Sequence, residues 1–378
     1  MQFRSFPKIP QLHVSTLGFG AMRLPTLGDS GSAIDEEAAI ALIRHAITNG
    51  VNYVDTAWPY HGGQSEVVVG RALQGEWRDK VNLATKCPVW DVNSPQDIER
   101  FLDAQLTKIH TDRIDFYLLH ALDGSRWNAM RRLGAPAILE RARADGRIGH
   151  IGFSFHGSLD EFKVIVDEYD WEFCQIQLNY IDENFQAGVA GMKHASEHGI
   201  GVIVMEPLRG GSLVRVPPEV RNIWGRSGRS WTSQEWALRW LWNFPEVVTV
   251  LSGMGTIPQL LDNTASASAA ESLTEADLAT IEEAKEFYRS RMAVPCTTCG
   301  YCQPCPSGVA IPGVFSAFNT GKMFDAKKQA AWAYNTFVVN AGSGADRCIE
   351  CGDCESKCPQ GFPITENLKR AHAYLTQE

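Results

Sequence analysis

Hydrophobic positions along this chain follow two alternating rhythms. Short apolar runs rich in β-branched residues give way, again and again, to longer stretches striped at helical spacing. The first run, LGFGAM, ends at Met22. DEEAAIALIRHAITNG follows, with Ala39, Leu42, Ile43, Ala46 and Ile47 on one helical face and Gly50 as the stop. VNYVDTA ends at Ala57, and a helix is predicted over 64–73. VNLATK ends at Lys86 and precedes SPQDIERFLDAQLTKI, where Ser94 reads as the N-cap and Pro95 as the first helical residue. RIDFYLLH runs to His120, and one long helix is predicted over 127–144.

The second half keeps the rhythm. HIGFSF ends at Phe155 before a helix over 159–168, FCQIQLNY ends at Tyr180 before a helix over 187–198, and GIGVIVMEPL ends at Leu208. A stretch rich in Gly, Arg and Pro, 209–230, reads as a loop, then TSQEWALRWLWN as a helix. VVTVLSGM ends at Met254, and a helix starts near Ile257. Eight strand–helix units close most naturally into an α/β (β/α)8 TIM barrel. The alternative, an open doubly wound sheet, lacks its signature, since no G-x-G-x-x-G follows an early strand. A last helix, TEADLATIEEAKEFYRSR, with Thr274 and Asp277 as a capping box, ends near Arg291. The domain boundary is expected there: a barrel over 1–291 and a small, mainly helical domain over 292–378.

Composition narrows the function classes. The net charge of −9 argues against broad nucleic-acid or anionic-membrane binding, which needs a basic surface. The opening MQFRSFPKIPQLHV holds no signal-peptide core, and no apolar run is long enough to span a bilayer, so a cytoplasmic location is expected. Of ten cysteines, eight lie in two short runs near the C-terminal end, spacing that suits a metal centre rather than a disulfide framework. Cys87 and Cys174 fall within predicted strands and read as small core residues.

Barrel chemistry sits at the C-terminal ends of the strands. Those ends carry Asp55, Lys86 and His120, with Tyr60 five residues past the aspartate. Singly, a strand-end lysine or histidine is more often structural than catalytic. Four complementary groups at consecutive strand ends are another matter. Tyr60 can protonate a carbonyl oxygen as hydride arrives, Lys86 can lower the phenol's pKa, Asp55 can hold Lys86 charged, and His120 can orient the carbonyl.

The segments VDTAWPYHGGQSE, LATK and DFYLLH, over a match of roughly 17–269, resemble the aldo-keto reductase superfamily. HIGFSF, QIQLNY and MEPLRGG resemble its cofactor-side segments, and the opening resembles its hairpin that closes the barrel bottom. The resemblance implies NADP or NAD as cofactor and a small carbonyl or alcohol substrate. It implies that Ser154, Gln177 and Asn179 hold the carboxamide or flank the nicotinamide, that Leu208, Gly210 and Gly253 contact the phosphates, and that Asp262 and Asn263 lie on the adenine side. The chain departs from the family at Phe155, where Asn is frequent, at Met205 and Glu206, where an aromatic residue stacks on the ring, and at Gln259, where Arg grips a 2′-phosphate. Trp58 and Trp127 read equally as pocket or core residues.

Cys348, Cys351, Cys354 and Cys358 form the C-x2-C-x2-C-x3-C-P run of bacterial ferredoxins, and Cys296, Cys299, Cys302 and Cys305 form a similar run shorter by one residue. Crossed ligation predicts two 4Fe–4S clusters, one on Cys296, Cys299, Cys302 and Cys358, the other on Cys348, Cys351, Cys354 and Cys305. The rival reading, two zinc sites, does not require three cysteines at this spacing plus a Cys-Pro. The 42 residues between the runs are expected to form two helices. As a whole the chain resembles aldo-keto reductases with a C-terminal ferredoxin-type domain. Three roles for the clusters stay open: electron exchange with ferredoxin or another redox protein, purely structural support for an ordinary carbonyl reductase, or an electron carrier on an inert barrel. No flavin site is identified, although a barrel's phosphate pocket can hold FMN.

Overall fold

The computed structural model describes residues 1–27, 33–269, 271–296, 298 and 300–377. Eight parallel strands close a barrel in sequential order. They are β1 (Leu17–Gly20), β2 (Tyr53–Asp55), β3 (Asn82–Cys87), β4 (Ile114–Leu122), β5 (Ile148–Phe155), β6 (Phe173–Gln177), β7 (Gly201–Met205) and β8 (Val247–Ser252). Each strand is buried on both faces, which is why it reads as an apolar run rather than an alternation. Among the described residues, no helix is long and apolar enough to cross a membrane.

An antiparallel hairpin, Phe3–Phe6 with Ile9–Ser15, precedes the barrel. Its Phe6 is fully buried with Tyr53, Phe116 and Phe173, the rings of Phe6 and Phe116 lying 5.1 Å apart. Arg4 donates to the carbonyls of Trp242, Phe244 and Val247, so the hairpin also caps the backbone at the entry to β8. With that end filled, the strand ends that carry Asp55, Lys86 and His120 form the opposite, open face.

The helices follow the predicted stripes. In Glu36–Thr48 the buried residues are the five expected, and Asp35 caps its start by accepting from Ala38 N. Ser94 and Asp97 form a capping box on Pro95–Ile109. Two expectations are corrected. The single helix over 127–144 is two, Gly124–Arg132 and Ala135–Ala144, because Gly134 takes a left-handed φ of 71° ahead of Pro136. The stretch 209–230 is not all loop: it contains Pro218–Arg226, started by proline and burying Val220, Ile223 and Trp224.

The chain divides into two compact units, Met1–Leu213 with Gln234–Thr274 and Val214–Ser233 with Glu275–Glu378. The second therefore takes in a segment from between β7 and β8. Within it, Asp277 of helix Glu275–Ser290 is buried and receives a two-pronged ion pair from Arg229, at 2.8 and 2.6 Å. The 42 residues between the cysteine runs form Ile311–Met323 and Lys327–Tyr334, the latter extended by a π turn over Asn335–Val339. With Ile364–Thr376 they enclose a core of Val309, Val314, Phe315, Phe318, Tyr334 and Leu368.

Gly70 shows how closely the barrel's outer layer is set. A Cβ there would stand 2.4 Å from the carbonyl oxygen of Ile109, a rigid backbone atom at the end of the next helix. Gly70→Ala is expected to cost about 1–3 kcal/mol through overpacking, outweighing its gain in helix propensity. A lowered barrel melting transition in anaerobic near-UV circular dichroism checks this; an unchanged or raised transition would show that the helix yields.

Candidate active site and cysteine centres

β2 and β3 pair in register with Asp55 opposite Ala84, which sets Lys86 two residues further along the same face. The Lys86 side chain has no exposed surface and that of Asp55 almost none. Lys86 Nζ donates to Asp55 Oδ1 at 2.7 Å, to Oδ2 at 2.8 Å and to the Thr56 carbonyl at 2.8 Å, and lies 3.5 Å from the Tyr60 hydroxyl. Burial alone would favour the neutral amine, but Asp55 and Tyr60 outweigh it and hold the ammonium above its usual range. Behind the lysine, Gln105 donates to the Lys86 carbonyl at 3.0 Å and to Glu66 Oε1 at 2.6 Å, and accepts from the Tyr117 hydroxyl at 2.8 Å. This buried network pins the strand that aims Lys86.

Tyr60 sits in a short turn whose next two residues, His61 and Gly62, have left-handed φ. Burial raises its phenol above the ordinary value, against the opposing pull of Lys86. Lys86 does pull the phenol down, as expected, but the net shift is upward, because desolvation of a phenolate outweighs one nearby ammonium that is already paired with Asp55. The His120 ring lies 6.1 Å from that of Tyr60, edge to face. Burial first, then the charge of Lys86, push His120 down to about 2, which favours the neutral imidazole. Its position comes from an irregularity in the β4–β5 ladder between Leu119 and Leu122. There Ala121 adopts φ 54°, held because its N–H donates to Ser154 Oγ at 2.7 Å and its carbonyl accepts from Arg126.

The described cysteines of the second unit fall into two groups. One cavity is lined by Cys296, Cys302 and Cys358, with Ile311, Phe315 and Phe362 as apolar wall. The other is lined by Cys305, Cys348, Cys351 and Cys354, with Ile311 and Leu368. Cys299 lies outside the described residues. Left-handed residues flank the second cysteine of each run, Thr298 and Gly300 in the first, Glu350 and Gly352 in the second. Asn319 bonds both the N–H and the carbonyl of Val294, fixing the chain two residues before Cys296. Thiolate sets in small apolar cavities, with the backbone curled around them, fit four-iron clusters.

Residues 16–286 match the aldo/keto reductase family, and residues 295–362 match a 4Fe-4S dicluster domain. The chain belongs to the aldo/keto reductase family. It is 26% identical over 283 residues to L-galactose dehydrogenase of Arabidopsis thaliana, across 69% of this chain and 87% of the relative. It is 24% identical to the NADH-specific methylglyoxal reductase of Escherichia coli, across 74% and 98%. The solved structure of aldo-keto reductase AKR11C1 from Bacillus halodurans, in its holo form, superposes with a TM-score of 0.63 at 26% identity, covering 75% of this chain and 96% of that one. This chain is thus an oxidoreductase of the aldo-keto reductase type, a TIM barrel with a C-terminal helical dicluster domain.

The residues expected on the cofactor side are less uniform in placement than Asp55, Tyr60, Lys86 and His120. Ser154 is buried and occupied with Ala121. Gln177 and Asn179 both donate to Asp182 Oδ2, at 3.4 and 3.0 Å, as does Arg209 at 2.9 Å. Leu208 and Gly210 lie in a tight turn after β7, where Gly210 has φ 65°. Gly253 lies under the Arg23 side chain after β8. Asn263 is buried and donates to Ser252 at 3.1 Å, whereas Asp262 is exposed. Sequence reading missed Asp182 and Trp90. Trp90 packs against His120 with ring centroids 5.0 Å apart, and its place in a short turn after β3 carries no pattern to find it by. Trp127 resolves as core, its indole donating to Glu168 at 2.6 Å. Cys87 and Cys174 are fully buried, and burial pushes the Cys87 thiol up to about 12.

Breaking one half of the buried pair leaves the other uncompensated, at about 3–5 kcal/mol. Lys86→Met is therefore expected to lower the melting temperature more than the double variant Asp55→Asn/Lys86→Met, although both abolish carbonyl reduction. Thermal melts of the two variants side by side check this; equal destabilisation would mean that the pair does not carry the energy assigned to it.

Proposed function

We propose that the barrel interconverts a small carbonyl compound and its alcohol with a nicotinamide cofactor, using Asp55, Tyr60, Lys86 and His120. The observation that carries this is the ammonium of Lys86, fully buried, paired with Asp55 and 3.5 Å from the Tyr60 hydroxyl. The bound nicotinamide supplies or accepts the hydride. Tyr60 delivers the proton to the carbonyl oxygen. Lys86 stabilises the phenolate left behind, and Asp55 keeps Lys86 charged and aimed. His120, neutral, serves as a hydrogen-bonding group that orients the oxygen rather than as the acid. Trp90 forms an apolar wall beside it.

Polar groups at the catalytic end support a nicotinamide site. His120 Nδ1 is buried and lacks a hydrogen-bond partner among the described residues, and the amides of Gln177 and Asn179 converge on one carboxylate that a carboxamide can replace. Ser154, Gln177 and Asn179 would hold the ring side, Leu208, Gly210 and Gly253 the phosphates, and Asp262 and Asn263 the adenine side. Gln259 accepts from Gly255 N at 2.9 Å and offers no cation to a 2′-phosphate, which favours NADH over a strict demand for NADPH. The name of the Escherichia coli relative points the same way.

For the second unit we propose two 4Fe–4S clusters with crossed ligation, exchanging electrons with a one-electron carrier such as a ferredoxin. The functional boundary then lies near Arg291. Cys351 is the exposed thiol of its group, which supports a route from solvent to that cluster. Hydride moves two electrons and a cluster one, so nicotinamide and cluster do not exchange directly without a one-electron intermediary. A structural role is the second reading, favoured by Cys354, which is buried among Ile364, Leu368 and Ala371 in the unit's core.

Tyr60→Phe should lower kcat for reduction by at least about 10²-fold with cofactor affinity nearly unchanged. Because burial raises the phenol, it stays protonated through the neutral range, and His120 does not titrate there. Reduction should accordingly be flat from about pH 6 to about pH 9, while alcohol oxidation, which needs the phenolate, should rise with pH. A Tyr60→Phe variant with full activity on a genuine substrate would remove the assignment.

Anaerobically purified protein should contain about eight iron and eight sulfide per chain. Cys358→Ser should damage the cluster of Cys296 and Cys302 rather than that of its own run. It should slow turnover driven by reduced ferredoxin or a viologen while sparing NAD(P)H-driven reduction. If the unaltered protein shows no carrier-driven turnover, the structural reading holds. Zinc in place of iron, without acid-labile sulfide, would end both.

A further inference from the structure

Away from the barrel mouth, three metal-ligating side chains meet where two helices end. Asp167 is the last residue of helix Leu159–Asp167, His194 lies in the last turn of Gly188–Glu197, and His198 is that helix's C-cap. The barrel's helices run antiparallel to its strands, so helix C-termini lie on the face opposite the catalytic strand ends. One atom, Asp167 Oδ1, stands 2.8 Å from His194 Nε2 and 3.3 Å from His198 Nε2. All three potential ligand atoms lie within 4.8 Å of one another.

The hydrogen bonding here selects a ligand state. His198 Nδ1 is 2.8 Å from the His194 carbonyl, which can only accept, so Nδ1 carries the proton. In the neutral ring Nε2 is then a bare lone pair, and it faces a carboxylate oxygen, acceptor against acceptor. A cation placed among the three atoms would meet all of them at once. The same Nδ1–H to backbone carbonyl bond is the outer contact that orients a metal-binding imidazole. The spacing of the histidines, four apart on one helix, puts both rings on one face, with centroids 4.5 Å apart. Both helices also bring the negative ends of their dipoles to this point, which favours positive charge.

We propose that Asp167, His194 and His198 form a binding site for a divalent late transition ion, zinc being the natural occupant and probe. Imidazole and carboxylate ligands suit zinc, at about 2.0–2.1 Å each, which places tetrahedral neighbours about 3.3 Å apart. The observed separations, 2.8 and 3.3 Å from Asp167 Oδ1 with all three atoms within 4.8 Å, bracket this value. Asp167 and His198 are solvent-exposed, so a fourth position is open to water. The ion would clamp the ends of two adjacent barrel helices. This site is independent of the iron centres, because its ligands are nitrogen and oxygen and theirs are sulfur.

The test uses untagged, anaerobically purified protein with its iron in place, given one equivalent of zinc. Zinc-edge X-ray absorption should show nitrogen and oxygen neighbours with imidazole scattering and no sulfur, at unchanged iron content. His194→Ala should weaken zinc binding tenfold or more by competition titration, since even loss of an outer-shell partner costs about 10–100-fold. Carbonyl reduction should be unaltered. His198→Gln, at an exposed position, repeats the measurement should the first variant fold poorly. Sulfur-ligated zinc, no zinc uptake, or an affinity within twofold of the parent in a folded variant would overturn the site and leave the three side chains as a surface hydrogen-bonded cluster.

Discussion

An ammonium with no exposed surface persists only when each of its protons finds an acceptor and its charge a counter-charge. Lys86 meets both conditions through Asp55 and the Thr56 carbonyl, and the geometry of the catalytic end follows from that requirement. Asp55 and Lys86 come from different strands, so the pair exists only if β2 and β3 align in one register. The Tyr60 hydroxyl then has the Lys86 ammonium 3.5 Å away, and in the proposed mechanism that charge stabilises the phenolate once the proton has left. The second layer of Gln105, Glu66, Thr85 and Tyr117 adds no chemistry of its own. It supplies partners for backbone and carboxylate groups that burial would otherwise leave unmet.

His120 shows the same economy by a different device. A regular strand would direct alternate residues to the barrel interior and its outside. The irregularity at His120 and Ala121 breaks that alternation, and Ser154 and Arg126 hold the strained residue in place. A residue that reads as cofactor-binding thus also positions the catalytic rim. In the proposed mechanism, depressing the histidine's pKa by burial separates its role from that of Tyr60: one group would move the proton, the other direct the oxygen.

The second unit faces a different constraint, since a few helices bury little apolar surface. Its core is continuous with its thiols: Cys354 is buried in it, and Cys296, Cys302, Cys305, Cys348 and Cys358 pack against it. Cluster chemistry and folding are therefore coupled there, whereas in the barrel the catalytic groups occupy one end of a core that the hairpin residue Phe6 helps to fill.

The sequence by itself determined the barrel, its eight strands, the four catalytic candidates and the two cysteine runs. Those properties are periodic or local: burial on both faces writes apolar runs, capping writes Ser94 with Asp97, and a cluster writes its spacing. The break at Gly134 and the helix Pro218–Arg226 were harder to read, because a glycine within a striped stretch and a polar, glycine-rich segment each admit two conformations until packing selects one. Trp90 beside His120, Asp182 beneath two amides, and Asp167 between two histidines carry no pattern at all. Each is an ordinary residue made significant by a neighbour distant in sequence. The sign of the Tyr60 shift was likewise a tertiary decision, because it depends on how completely the phenol loses water once the barrel has closed around it.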